Sequence, residues 1–285
     1  MSELAKRLLG LLSNEESVTP PKKAEGSGAV ADMAGASGLG LADAVASGWY
    51  LNDTNELFRG MRISADDTVV DVGCGDGGSS LFCARRGAHV TAVDIDQRVI
   101  DAIRPRLEEV IPGRCAAVVS DASPLPLPDA WASRVICTEV LEHVADPDQV
   151  LAELYRIGKP GARYLLTVPD ELQEQLQKEV APPSYFQSPN HIRIIGRDEF
   201  EQMVVRSGLI VEEHTQYGFF WSIWWGLFWA CRVDLDNPSH PALNHWVQAW
   251  QAILALPDGK AYKEKLDRFL PKSRVIVARK PGPDA

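Results

Sequence analysis

Short apolar runs alternate with amphipathic stretches through the middle of the chain. The amphipathic stretches Gln97–Val110 and Pro147–Ile157 have the spacing of surface helices. Five apolar runs are predicted as strands: one that begins at Thr68, then Ala88–Asp96, Ala116–Asp121, Ser133–Thr138 and Arg163–Pro169. Strands that alternate with helices in this way predict an α/β fold with a parallel sheet covered by helices on both faces.

The C-terminal part of the chain follows a different pattern. A helix is predicted over 197–207 and a strand over Leu209–Gln216, and a closing strand is predicted over Arg274–Arg279. The interval between these last two strands is long and rich in aromatic residues, so we expect it to form an elaboration of the core fold.

A glycine-rich turn follows the first predicted strand of the sheet. Gly73, Gly75 and Gly78 fit the G-x-G-x-x-G pattern of dinucleotide-binding turns, but such a match by itself is weak. Acidic side chains accompany the glycines, with Asp71 in the strand and Asp76 in the turn. A carboxylate repels a pyrophosphate and attracts a sulfonium and an ammonium. The turn therefore favours S-adenosylmethionine over a nicotinamide dinucleotide.

Two further acids end the next two strands. Asp94 lies about twenty residues after the turn, where an acidic side chain accepts hydrogen bonds from a ribose diol. Asp121 ends the following strand. The carboxyl ends of parallel strands lie at one edge of a sheet, so we expect the three acids Asp71, Asp94 and Asp121 to converge on one crevice.

These ordered motifs resemble those of the class I S-adenosylmethionine-dependent methyltransferases, and especially the group that contains the ubiquinone-biosynthesis O-methyltransferases. The resemblance covers residues 45–215 and the closing strand. It implies a doubly wound, Rossmann-like sheet of seven strands that is mostly parallel with an antiparallel last strand. It also implies the following cofactor contacts: Asp71, Gly73 and Gly75 at the methionine end, Asp94 at the ribose, Asp121 and Ala122 at the adenine edge, and Glu139 at the floor beside the methionine. Ile95, next to Asp94, is a further candidate cofactor contact.

Composition narrows the class of protein. The chain has 285 residues, 45% of them hydrophobic, and 29 basic against 39 acidic side chains give a net charge of −10. The acidic balance disfavours a nucleic-acid partner and anionic lipid. Five cysteines without metal-ligand spacing suggest a reducing compartment, and we expect a cytoplasmic protein.

We expect four segments along the chain. Residues 1–40 are predicted to form a short helix over 3–13 and a flexible linker over 14–40, and residues 41–216 to form the methyltransferase core. Residues 217–273 form the aromatic elaboration, and 274–285 the closing strand and tail. In the family, a helix before the first strand covers the ligand, so Trp49 and Tyr50 are candidates for a lid that contacts substrate. The alternative is that they only pack this helix onto the sheet.

The aromatic elaboration begins with a run over 217–231. Its tryptophans Trp221, Trp224, Trp225 and Trp229 fall on one helical face. The run is shorter than the roughly twenty residues that a transmembrane helix needs, and no basic cluster flanks it. Three hypotheses remain open: a cap over an apolar substrate that Trp221 and Trp225 contact, a homodimer interface, or weak membrane association through an interfacial helix.

Methyl transfer to a hydroxyl needs a base or a metal ion at the acceptor. His143 and His191 are the candidate catalytic residues. Glu139, Glu142 and His143 have the spacing of one helical turn and would point the same way. Small-RNA 2′-O-methyltransferases have a similar Glu-x-x-Glu-His motif with a later histidine that holds a metal. The four side chains Glu139, Glu142, His143 and His191 are therefore candidate ligands of Mg²⁺, Mn²⁺ or Zn²⁺. The alternative is that Glu142 and His143 orient a loop.

The segment 181–193 follows the fifth strand, and the resemblance implies that it faces the transferred methyl group. Tyr185 and Arg193 are candidates for substrate contact there, or for ordinary surface contacts. The sequence thus predicts a methyltransferase that acts on a small, partly apolar acceptor, with oxygen favoured over carbon or nitrogen. A nicotinamide-dependent oxidoreductase and a noncatalytic cofactor-binding module are the alternatives.

Overall fold

The computed structural model describes residues 29–234 and 239–282, with side chains from residue 38 onward. A seven-stranded sheet forms its centre. The strands of this sheet are β4 (Thr68–Val72), β5 (His89–Asp94), β6 (Cys115–Val119), β7 (Ala132–Thr138), β8 (Gly158–Pro169), β9 (Ile210–Tyr217) and β10 (Ser273–Arg279). A small antiparallel sheet lies ahead of them, formed by β1 (Trp49–Leu51), β2 (Glu56–Phe58) and β3 (Met61–Arg62).

Nine α-helices accompany the sheets within the described residues. They are α1 (Ala29–Ser47), α2 (Gly78–Ala84), α3 (Gln97–Val110), α4 (Pro147–Ile157), α5 (Glu171–Val180), α6 (Arg197–Arg206), α7 (Phe219–Ala230), α8 (Pro241–Leu254) and α9 (Gly259–Phe269). A short 3₁₀ helix spans Pro183–Phe186. None of the helices in the part of the chain that the structure describes is both long enough and apolar enough to cross a bilayer.

The main sheet confirms the predicted fold class. Its strand order is β6-β5-β4-β7-β8-β10-β9, and β10 runs antiparallel to both of its neighbours while β4 to β8 pair in parallel. The apolar residues of β4 are buried almost completely, as expected for a central strand that is covered on both faces. The helices α7, α8 and α9 lie between β9 and β10 in the chain, where the aromatic elaboration was predicted.

Asp side chains start the helices that the amphipathic pattern predicted. Asp96 accepts the Arg98 N–H at the start of α3, and Asp146 accepts the Gln149 N–H at the start of α4. These caps satisfy N–H groups that have no partner within the helix. Both helices have the predicted bounds. Each begins after a polar loop that follows the carboxyl end of a sheet strand.

Two apolar cores cover the two faces of the sheet, and a third lies in the helical elaboration. One core packs α4 and α6 on the sheet, and the other packs α2, α3 and the small sheet on the opposite face. The third core centres on Phe220, Trp224, Phe228, Leu243 and Trp250, and Leu39 of α1 packs against it. Helix α1 therefore belongs to the same packed unit as α7 and α8.

The N-terminal predictions need correction. The helix expected over 3–13 lies outside the described residues, but the linker expected to continue to Gly40 is wrong, because α1 already begins at Ala29. Close packing explains why Gly40 is tolerated in α1: a Cβ there would lie 2.2 Å from the Trp221 ring. Gly40 lets α1 approach the aromatic elaboration, and this packing outweighs the poor helix propensity of glycine.

Candidate active site

The glycine turn after β4 has a backbone that side chains would disturb. Gly73, Gly75 and Gly77 all have positive φ, at 71°, 50° and 80°. A Cβ on Gly73 would lie 2.3 Å from Val140 Cγ2, and one on Gly77 would lie 1.9 Å from Ile103 Cδ1. At Gly75 a Cβ would meet nothing within 4 Å. Gly73 and Gly77 therefore pack the turn against the protein, and Gly75 borders open space where a ligand has room.

Asp71 lies beneath this turn and Asp94 beside it. Asp71 is buried, and the Ser80 hydroxyl donates to its Oδ2 at 2.6 Å. Burial raises the pKa of Asp71 to about 6. Asp94 ends β5, and its carboxylate accepts the Gly75 N–H at 3.1 Å and the Asp96 N–H at 3.0 Å. Asp71 and Asp94 therefore lie at one end of the sheet around the glycine turn.

The ends of β5 and β6 form the next part of the crevice. The Ser120 N–H donates to the Asp94 carbonyl oxygen at 2.9 Å, which holds the two strand ends together. Ile95 keeps 72% of its surface exposed, an unusual value for an isoleucine beside a core strand. Asp121 is exposed on the neighbouring loop, and Ala122 is buried with a φ of 63°. An exposed apolar side chain next to a carboxylate suits a flat, partly polar ring such as adenine.

The aromatic pair before the glycine turn is not on a helix. Trp49 and Tyr50 lie in β1, so the predicted lid helix is wrong at these positions. Trp49 is 4% exposed and packs against Phe58 and Tyr217, with ring centroids 5.0 and 5.6 Å away. It has the position of a core residue. The Tyr50 hydroxyl instead reaches the start of α2 beside Gly78, at the rim of the glycine turn.

Comparison with known proteins assigns this arrangement to a family. Residues 70–166, which run from β4 into β8, match the methyltransferase-domain family. Residues 70–166 are thus a methyltransferase domain of the class I S-adenosylmethionine-dependent type. This match, together with the sheet order, confirms the resemblance drawn from the motifs.

Relatives of this methyltransferase share part of its length. It is 28% identical over 170 residues to the methyltransferase GfsG of Streptomyces halstedii. The aligned region covers 57% of this chain and 59% of that protein. It is 33% identical over 120 residues to the ubiquinone biosynthesis O-methyltransferase of Aeromonas salmonicida, covering 42% of this chain and 47% of that protein. The chain thus spans about half the length of these relatives.

One solved structure matches the methyltransferase over nearly its whole length. A putative sarcosine dimethylglycine methyltransferase from Galdieria sulphuraria aligns with a TM-score of 0.53 and 12% identity, covering 98% of this chain and 99% of that one. At this identity the match shows a shared fold.

Glu139 lies at the end of β7, on the acceptor side of the glycine turn. It has a φ of 55°, and residues 139–144 form a turn instead of a helix, so the expected one-turn helix is wrong. The carboxylate accepts hydrogen bonds from Thr167 Oγ1 at 2.9 Å and from Lys272 Nζ at 2.8 Å. Burial alone would raise the pKa of Glu139, but the Lys272 ammonium outweighs it and lowers this pKa.

Lys272 is a site residue that the sequence analysis missed. A topological signal for it was present, because an antiparallel last strand begins at the edge where the parallel strands end. Lys272 directly precedes β10 and is therefore at the same edge as Glu139. Burial alone would lower its pKa, but the carboxylates of Glu139 and Glu174 raise it above the usual value for lysine.

The two candidate histidines lie together beyond Glu139. Their rings are perpendicular, with centroids 4.9 Å apart. His143 Nδ1 is 3.2 Å from the Pro189 carbonyl oxygen, and His191 Nδ1 is 2.6 Å from Glu174 Oε2. These acceptors favour the tautomers in which Nδ1 carries the proton and Nε2 presents a lone pair. Burial, and then the neighbouring His191, lower the pKa of His143.

Glu142 completes a group with these histidines. It is 1% exposed, and neither of its carboxylate oxygens has a hydrogen-bond partner among the described residues. Its Oε1 lies 3.7 Å from His143 Nε2, and one ligand atom from each of Glu142, His143 and His191 lies within 4.8 Å of the other two. Burial and the nearby Glu139 raise the pKa of Glu142 well above its usual range. Glu139 is not in this group, so the expected set of four ligands is reduced to three.

Tyr185 and Arg193, the two substrate contacts predicted in the segment 181–193, have different partners. The Tyr185 ring lies 4.7 Å from that of His191 and 5.4 Å from that of Trp229, so it borders the histidines. Arg193 donates to the Val144 and Ala145 carbonyl oxygens at 2.7 and 2.8 Å, which fixes the backbone next to the histidine group.

The tryptophans of α7 have different surroundings from one another. Trp221 packs against α1 at Gly40, away from the histidine group. Trp225 stacks on Trp229 at 5.9 Å, and Trp229 contacts Tyr185. Trp229 is thus the member of the predicted aromatic face that contacts the candidate acceptor side directly. A substrate role for Trp221 and Trp225 stays a prediction.

Proposed function

We propose that this methyltransferase moves the methyl group of S-adenosylmethionine to an oxygen of a small, partly apolar acceptor. The observation that carries the proposal is the continuity of two groups of side chains along one sheet edge. Acids surround the open side of the glycine turn, and Glu139 and Lys272 link them to the histidine and tyrosine group.

The acid-lined turn supports binding of the cationic cofactor. Gly75 leaves space beside Asp94, whose carboxylate is available to a ribose once it exchanges its backbone contacts. Asp71 lies below and adds negative charge for the sulfonium and ammonium groups. A dinucleotide pyrophosphate would meet these carboxylates at close range, which disfavours the oxidoreductase alternative.

The far side of the crevice supports an acceptor with an aromatic or apolar body. Tyr185 and Trp229 offer ring faces, and the indole N–H of Trp229 is fixed by Gln177 Oε1 at 2.8 Å. His143 and His191 place nitrogen lone pairs beside these rings. While no metal ion occupies these lone pairs, such a site can hold a ring and receive a hydroxyl proton at the same time.

We also propose that Glu142, His143 and His191 hold a divalent metal ion. The buried carboxylate without a described hydrogen-bond partner fits this role, because a buried unpaired carboxylate is costly unless a cation or a proton neutralises it. One carboxylate and two imidazoles suit Mn²⁺ or Zn²⁺. Pro189 and Glu174 would orient the two rings as outer partners. When bound, such an ion polarises an acceptor hydroxyl as a Lewis acid.

Two measurements test the proposal. Titration calorimetry should show binding of S-adenosylmethionine and no comparable binding of NADH. Incubation with methyl-labelled S-adenosylmethionine and a fractionated metabolite extract should then give a labelled small molecule whose methyl carbon is bound to oxygen by NMR. Binding of NADH alone would support the oxidoreductase. Cofactor binding without label transfer to any fraction would support the noncatalytic module.

A further inference from the structure

Within the part of the chain that the structure describes, Lys272 has donors to spare at the acceptor side of the site. Its ammonium donates to Glu139 Oε2 at 2.8 Å, and its side chain is 16% exposed. A lysine ammonium carries three N–H donors, and the bond to Glu139 takes one of them. The other two N–H donors are available to a ligand, because Glu139 holds the ammonium in place and the side chain is still partly exposed.

The groups around Lys272 place it between the two halves of the site. Glu139 faces it from the end of β7, and Glu174 and Tyr185 face it from α5 and the 3₁₀ helix. Glu142, in the turn after β7, also interacts with the Lys272 charge. The phenol of Tyr217 approaches from the end of β9. Glu139 is held by Thr167 as well as by Lys272, so Lys272 is the group of this pair that has capacity for a new partner.

We propose that Lys272 is a catalytic residue that binds the acceptor oxygen in its ionised form. The inference rests on the proposed methyl transfer and specifies its acceptor as an acidic hydroxyl, such as a phenol, that reacts as the oxyanion. Glu139 positions the ammonium, and the rings of Tyr185 and Trp229 lie where the apolar body of the acceptor would pack.

The proposed step balances without a further reactant. The acceptor hydroxyl gives its proton to water, or to a histidine lone pair that holds no metal ion, as the anion binds to Lys272. The oxyanion then attacks the methyl carbon, a C–O bond forms, and the C–S bond breaks with its electron pair on sulfur. The products are a methyl ether and S-adenosylhomocysteine. An opposite charge within about 4–6 Å lowers the pKa of an acid by 1–3 units. The carboxylates of Glu139 and Glu174 offset part of this effect, so the acceptor must be a hydroxyl that is already acidic, such as a phenol.

A coloured phenol gives a test that does not need turnover. The absorbance of 4-nitrophenol reports its ionisation, so it is titrated with pH alone and with excess protein, both with and without S-adenosylhomocysteine. With the wild-type protein we expect the bound phenol to ionise at least one pH unit lower, a tenfold preference for the phenolate. Lys272→Met should abolish the preference and Lys272→Arg should keep part of it. Lys265→Met, which changes an exposed lysine on α9, should behave as wild type.

A double variant separates binding of the acceptor from simple neutralisation of Glu139. If Lys272 only balances that carboxylate, Glu139→Gln combined with Lys272→Met would regain the phenolate preference. We expect the double variant to show no phenolate preference. The double variant also serves if Lys272→Met fails to fold, because it leaves no unpaired carboxylate at position 139.

Retention of the shift in Lys272→Met, its recovery in the double variant, or a wild-type protein with no phenolate preference would each overturn the inference. Calorimetry with S-adenosylmethionine is scored separately. If S-adenosylmethionine does not bind, the proposed function is contradicted, but the phenolate result still stands.

Discussion

Trp250 donates its indole N–H to Asp43 Oδ1 at 2.9 Å, a contact between residues 207 positions apart in the chain. The same carboxylate oxygen lies 3.4 Å from Lys263 Nζ, and that ammonium also contacts Asp267. Asp267 in turn accepts the N–H groups of Gly218 and Phe219 at the start of α7. One buried polar network thus joins α1 to the three helices of the aromatic elaboration.

Lys263 should be the residue on which this network depends. Its side chain is fully buried, and Lys263→Met would leave Asp43 and Asp267 as buried carboxylates without a cation. Breaking a buried ion pair by removing one partner costs about 3–5 kcal/mol. Urea denaturation should show a loss of this size for Lys263→Met. Lys265→Met on the same helix is exposed and should stay within about 0.5 kcal/mol of wild type. Equal stability of the two variants would show that the buried network is not stabilising.

Gly75 should matter for the cofactor more than for folding. Its φ of 50° is unfavourable for alanine, and a Cβ there meets nothing within 4 Å. Gly113 is a matched control, with a φ of 72° and the same open space, far from the site. Both alanine variants should lose about 1–2 kcal/mol of folding stability in denaturation. Only Gly75→Ala should also weaken S-adenosylmethionine binding, by tenfold or more in calorimetry. Equal cofactor affinity in both variants would place the ligand elsewhere.

The helices and strands of the core were predictable because their signals are local. Asp96 and Asp146 mark helix starts, and the apolar periodicity of α3 and α4 gives their ends. The order of the strands was equally clear, although β5 and β6 each end two residues before the predicted Asp96 and Asp121. The convergence of Asp71 and Asp94 followed from parallel topology. These features depend on residues close together in the chain.

Features that depend on distant partners were missed. The composition of Ala29–Gly40 resembles a linker, and it is helical because Gly40 allows close contact with Trp221 in the elaboration. Glu139 was expected in a helical turn, but it pairs with Lys272, which is 133 positions away. No local pattern encodes either contact. The start of an antiparallel last strand was the one available clue to Lys272.

Cofactor affinity should depend on the ionisation of Asp71. Burial raises the pKa of this carboxyl to about 6 in the free protein, and a cationic ligand favours its ionised form. Affinity for S-adenosylmethionine should therefore be constant above pH 7 and fall as the pH drops below 6, by up to about tenfold per unit. Calorimetry between pH 5 and 8 measures this dependence. Asp71→Asn should flatten it, and Asp76→Asn, at an exposed position in the turn, should preserve it. A flat profile for the wild-type protein would exclude the coupling.

The histidine group should bind a metal that the other histidines do not. His191 is paired with Glu174 beside the unpartnered Glu142, whereas His214 has a similar pairing with Glu201 on the more exposed surface of β9. His191→Ala should weaken Mn²⁺ binding by about 100-fold or more, since it removes a direct ligand. His214→Ala should leave it unchanged. Electron paramagnetic resonance of free Mn²⁺ measures both. If the wild-type protein binds no Mn²⁺ or Zn²⁺ at millimolar concentration, the carboxyl of Glu142 is neutralised by a proton, in keeping with its raised pKa, and His143 and His191 retain only the role of bases.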